Sequence, residues 1–144
     1  MTAEKLNILF LCTGNACRSQ IAEGWARHLK SDSINAYSAG VSPIGVSTGA
    51  IKTMAEVGVD ISNHTSKHFN DLCYINFDYV ITLCDYAAES CPTFPGKAKV
   101  IHKPFKDPYF ATGSEEHIIE QFAKVRDQIR DFVKTLPESL KNKS

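Results

Sequence analysis

The chain has no excess of either charge. Sixteen Lys and Arg balance sixteen Asp and Glu across 144 residues, so the formal net charge is zero. A protein that neutralises nucleic-acid phosphates, or that lies on an anionic membrane surface, needs a basic surplus, so neither partner is expected. A long apolar run is also missing. The stretch near the start, Leu6 to Cys12, is interrupted by Asn7 and is far shorter than the roughly 18 residues that a membrane span requires. Thr13-Gly14-Asn15 follows it where a signal peptide would have a small-residue cleavage site, so a cytoplasmic location is expected. Cysteine is scarce and odd in number: Cys12, Cys17, Cys73, Cys84 and Cys91. Five thiols cannot close a static disulfide framework, and in a reducing compartment they need another account. Internal repeats, linkers and low-complexity tracts are absent. At 43% hydrophobic and 22% charged residues, the chain reads as one folded domain over 1–144.

Periodicity supplies the elements. Leu6 to Leu11 reads as a mostly buried strand. Ile21, Ala22, Trp25 and Leu29 then recur at helical steps, which predicts a helix from Arg18 to Lys30 with Trp25 in the core. Ile34 to Ala39 is a second strand, and Ser47 to Val57 a second helix stopped by Gly58. His64 to Leu72 is ambiguous and is expected to carry a short helix. Phe77 to Leu83 and Ala98 to His102 are further strands, separated from the last helix by a proline-containing loop, Lys103 to Gly113. Ser114 can cap that helix, with Glu115 and Glu116 at its positive end. Its apolar stripe is Ile118, Phe122, Val125, Ile129, Phe132 and Leu136. Pro137 ends it, and the tail from 138 to 144 is expected to fray. Alternating strands and helices predict an α/β three-layer sandwich on a four-stranded parallel sheet. Ligands in such sheets bind beyond the carboxyl ends of the strands. That rule gathers Cys12, Cys84 and Asp107 at one edge.

Three motifs carry chemistry. The first is Cys12-Thr13-Gly14-Asn15-Ala16-Cys17-Arg18-Ser19. A strand-to-helix loop of this kind turns successive backbone N–H groups inward and makes an anion nest. Gly14 and Asn15 tolerate the left-handed backbone that a nest requires. Arg18 adds a planar fork for two oxygens of a tetrahedral oxyanion. These positive surroundings predict a lowered Cys12 pKa, with Ser19 able to donate to the sulfur. No Gly-Lys-Ser/Thr follows, so this is not a nucleotide-binding loop. Cys-x5-Arg alone would arise by chance in about one chain in seven at this composition, so the flanking strand, helix and glycine carry the inference.

The second motif is Cys84 to Pro92, where Cys84 and Cys91 flank a short polar segment. It reads as a redox pair, as half of a zinc site or as two incidental thiols. No second Cys or His pair at ligand spacing supports zinc, and no metal or cofactor is expected. The third is Asp107-Pro108, either a general acid beside the anion site or a plain turn aspartate. Cys17 and Cys73 read as structural thiols.

Together these residues resemble a known family. Cys12 to Trp25, Tyr37-Ser38-Ala39-Gly40, Asp60 to Ser66, Val80 to Cys84, Cys91-Pro92, Asp107-Pro108 and Val125 to Ile129 are similar to thioredoxin-coupled arsenate reductases. Those enzymes share the low-molecular-weight protein tyrosine phosphatase fold. The resemblance implies arsenate, and other tetrahedral oxyanions, bound by the loop from Thr13 to Ser19. It implies attack on arsenic by Cys12 and protonation of the departing hydroxide by Asp107. It further implies a Cys12–Cys84 disulfide that Cys91 converts to Cys84–Cys91 for reduction by thioredoxin. A phosphatase with the same loop needs only Cys12, Arg18 and Asp107, and is the main alternative. A thiol-based redox sensor is a third, but a sensor has no need for a leaving-group acid. Gln20 stands where the phosphatases commonly have proline.

Departures are also visible. Some relatives bind potassium through residues matching Asn15, Glu23 and Ser38 plus an acidic residue. Lys67 occupies that acidic position here, so an ammonium beside Glu23 is expected in place of the ion. Tyr109 and Phe110, after Asp107, look phosphatase-like.

Overall fold

The computed structural model describes residues 5–72, 74–84, 98–108 and 111–141. Strand β1 spans Leu6–Cys12, β2 Ile34–Gly40, β3 Tyr79–Thr82 and β4 Lys99–His102. They form one parallel sheet in the order β2-β1-β3-β4. Ile8, Leu9, Phe10 and Leu11 are all 0% exposed, so the central strand is covered on both faces. Full burial explains why the sequence there is a continuous apolar run and not an alternating one.

Helix α1, Arg18–Leu29, packs on β1 and β2 and against α3, Glu115–Lys134. Helix α2, Thr48–Ala55, is capped by Ser47, whose Oγ accepts from Gly49 N and Ala50 N. Ser114 caps α3 by accepting from His117 N at 3.1 Å. Phe122, Val125, Ile129 and Val133 are the buried face of α3. Trp25 lies in the core, and its Nε1 donates to Arg126 O at 3.1 Å. Phe69–Leu72 is a single 3-10 turn.

The tail departs from expectation as far as Lys141, and residues 142–144 lie outside the described residues. Glu138–Lys141 is a helical turn, α4, with Leu140 only 2% exposed. Leu136 and Leu140 both reach the core, so burial overrides the polar composition that suggested fraying.

Candidate active site

The carboxyl end of β1 is extended on both sides by main-chain bonds. Leu83 N donates to Leu11 O at 2.8 Å, and Val41 N to Cys12 O at 3.2 Å. Ser42 N then bonds Thr13 O, Ile44 N bonds Gly14 O and Ser47 N bonds Ala16 O. The loop after β1 is thereby laced to the loop after β2. Gly40 is what lets them meet: a Cβ there would lie 2.6 Å from Thr13 O. Asn15 takes the left-handed backbone, with φ 49, and Gly14 does not.

Cys12, the loop residues Thr13, Gly14, Ala16 and Cys17, Arg18 and Asp107 line one cavity of about 210 Å3. Ser42 and Ile44 close its side, and neither was expected from the sequence. The sheet-edge rule applied to β2 would have found them, because Gly40 pairs with Cys12. Asn15 and Ser19 are 0% exposed and do not line the cavity.

Cys12 Sγ is 2.8 Å from Ser19 Oγ, which accepts from Asn15 Nδ2 at 2.8 Å. With that accepting side filled, Ser19 can donate to a Cys12 thiolate. The expected lowering of the Cys12 pKa is not the net result. Burial pushes the thiol up, and the pull of Ser19, of backbone hydrogen bonds and of Arg18 offsets only part of that. Burial likewise pushes the Cys17 thiol up to about 12, although Ser47 opposes it. Cys17 packs with Ala16 and Phe122, as a structural thiol should.

Arg18 spans the site. Its Nη1 donates to Phe105 O at 3.1 Å and to Leu83 O at 3.4 Å. Nη2 pairs with Asp107 Oδ2 at 3.1 Å. Nε is the one buried side-chain nitrogen or oxygen without a hydrogen-bond partner among the described residues. A buried guanidinium N–H without an acceptor costs free energy, and an oxyanion oxygen in the loop would satisfy it.

The second thiol is close by. Cys84, 6% exposed, follows the end of β3, and its Sγ is 3.1 Å from Thr13 Oγ1. Cys12 and Cys17 are free thiols. Cys73, Cys91, Tyr109 and Phe110 lie outside the described residues.

The ammonium expected beside Glu23 goes elsewhere. Lys67 Nζ donates to Thr65 O at 2.9 Å, and Lys67 N donates to Asn15 Oδ1 at 2.8 Å. Glu23, 4% exposed, accepts instead from Ser38 Oγ at 2.7 Å and from Arg27 Nε at 3.0 Å, with His64 Nε2 at 3.6 Å. Arg27 lies one helical turn from Glu23 and takes the role by adjacency.

Known proteins are similar to this chain over nearly its whole length. An arsenate reductase of Bacillus subtilis is 46% identical over 132 residues, covering 92% of this chain and 95% of the relative. A solved structure of an arsenate reductase in the phosphate binding state superposes with a TM-score of 0.73 at 31% identity, over 93% of this chain and 98% of that one. A thioredoxin-dependent arsenate reductase from Corynebacterium glutamicum superposes with a TM-score of 0.69 at 27% identity, over 96% of this chain and 65% of that one. The family model described as low molecular weight phosphotyrosine protein phosphatase matches residues 7–144, which span every residue of the cavity, and the chain belongs to that family.

Proposed function

We propose that this chain is an arsenate reductase working through Cys12, Cys84 and Cys91, with thioredoxin as the final reductant. The loop from Thr13 to Ser19 and the Arg18 guanidinium hold the oxyanion. A dianionic arsenate can take the Cys12 proton as it binds, which answers the raised thiol pKa: the thiolate forms only where the anion sits. Cys12 Sγ attacks arsenic, an S–As bond forms and an As–O bond breaks. Asp107 supplies the proton that lets the oxygen leave as water. Cys84, as thiolate, then attacks Cys12 Sγ. The S–As electron pair stays on arsenic, which falls from As(V) to As(III) and leaves as arsenite, while the two sulfurs are oxidised to a Cys12–Cys84 disulfide. Cys91 attacks Cys84, freeing Cys12, and thioredoxin reduces the resulting Cys84–Cys91 bond.

The observation that carries this reading is the second thiol. Cys84 is hydrogen-bonded to Thr13, the residue next to the nucleophile. Thiols do not reduce phosphorus(V), so an ester hydrolase gains nothing from a sulfur in that place. The B. subtilis relative agrees in its name, and the thioredoxin dependence stated for the Corynebacterium protein agrees with the relay.

The phosphatase reading is favoured by the family itself and by the apolar side wall at Ile44. The two readings share the first step and part at the second. NADPH consumption with thioredoxin, thioredoxin reductase and this protein separates them. Arsenate-dependent oxidation of NADPH is expected. A rate unchanged by arsenate, beside hydrolysis of aryl phosphates, would leave only the phosphatase.

A further inference from the structure

Gln20 is 0% exposed, in the first turn of α1, and the chemistry above makes no use of its amide. Its Nε2 donates to Asn15 O at 3.1 Å and to Thr65 O at 3.0 Å. Both amide hydrogens are then spent on carbonyls, so Oε1 is an acceptor. His64 Nδ1, 2.9 Å away, must be its donor. The amide is fixed from both ends.

Asn15 is the residue most in need of such a hold, because it is the one non-glycine residue with positive φ among those described. Asn adopts a left-handed backbone more readily than most residues, but still at a cost that its surroundings must offset. Each side of Asn15 is engaged. Its carbonyl accepts from Gln20, its Oδ1 accepts from Lys67 N, and its Nδ2 donates to Ser19 Oγ. Ser19 Oγ lies 2.8 Å from Cys12 Sγ. A continuous line of contacts runs from His64 through Gln20, Asn15 and Ser19 to the nucleophile.

We propose that Gln20 is a positioning residue of the oxyanion site. By clamping the Asn15 carbonyl beside the Thr65 carbonyl, it keeps Asn15 left-handed, the loop N–H groups converged and the Ser19 hydroxyl on Cys12 Sγ. This rests on the reading of Cys12 as nucleophile in an oxyanion loop. A methionine of similar length would fill the same space. It would leave the buried Asn15 carbonyl and His64 Nδ1 without the partner that Gln20 supplies, while Thr65 O keeps Lys67 Nζ, and the loop would relax to recover them.

The test uses Gln20→Met, Ser19→Ala and the double variant. Alkylation of Cys12 by iodoacetamide is followed by peptide mass spectrometry across pH, with and without inorganic phosphate. In Gln20→Met, phosphate protection of Cys12 is expected to weaken by about tenfold, roughly the effect of one lost hydrogen bond. The pH midpoint of alkylation should rise. In the Ser19→Ala background Gln20→Met should not raise the midpoint further, because the link to sulfur is already cut. Unchanged protection and midpoint in Gln20→Met, or fully additive midpoint shifts in the double variant, would overturn the proposal. Should Gln20→Met fail to fold, Gln20→Glu keeps the shape and sets a carboxylate against two carbonyl oxygens. Protection should then fall at least as far, and native-like protection overturns the proposal. Failure of phosphate to protect Cys12 in the unaltered protein is a separate result, which sinks the underlying site and not merely the role of Gln20.

Discussion

Arg18 joins three parts of the molecule through one guanidinium: the end of β3 at Leu83, the following loop at Phe105, and the acid Asp107. The buried Nε left over is the contact expected to be completed by substrate. Arg18→Lys would keep the charge and lose the planar fork. Arsenate and phosphate affinity should fall by about tenfold or more, measured by isothermal titration, and an unchanged affinity would contradict the assigned site. Cys91→Ser should stop recycling by thioredoxin yet leave one equivalent of arsenite per protein in a single-turnover quench. Loss of that first equivalent would contradict the order of the relay. At this scale the motif Cys12 to Ser19 was legible because strand, turn and helix each constrain residue type. The thiol pKa was not legible, since its direction depends on how deeply the sulfur is buried, and no residue spacing encodes that.

Elements were legible where periodicity was long. β1, α1 and α3 stand within a residue or two of where the pattern puts them, and Ser47 and Ser114 cap as the sequence suggests. The misses have a common cause, which is tertiary contact at short segments. Leu140 is held by packing that local composition does not reveal. Leu140→Ala should cost about 2–4 kcal/mol in urea unfolding, by lost burial and the cavity left behind. A cost near zero would mean that the last turn is frayed after all.

The segment after α2 carries a titration that can be checked by stability. Burial holds the His64 pKa below its usual 6.5. Glu23 and Asp60 oppose this, while Arg27 and Lys67 reinforce it. The unfolded chain therefore takes up the proton first as pH falls. Stability is full above pH 6.5 and declines below it, until the folded form also protonates. His64→Gln should flatten that part of the stability-pH curve, as read by urea unfolding at a series of pH values. An identical slope in the variant would assign the decline to other groups.

At the scale of the whole molecule, the order β2-β1-β3-β4 brings the carboxyl ends of all four strands to one edge. The sequence alternation was enough to predict that edge, and with it the gathering of Cys12, Cys84 and Asp107 there. It was not enough to predict Ser42 and Ile44, whose approach depends on the close contact at Gly40. Nor did it predict the inner line from His64 to Ser19, because buried amides leave no periodic mark. Among the described residues no helix is long and apolar enough to cross a membrane.

The central claim is that one pocket serves two sulfurs, and Cys84→Ser tests it most directly. Arsenate turnover with thioredoxin and hydrolysis of an aryl phosphate are to be measured side by side on the same preparation. The account predicts that repeated arsenate reduction disappears while ester hydrolysis, which needs only Cys12, Arg18 and Asp107, stays near that of the unaltered protein. Arsenate turnover that survives at full rate would contradict it.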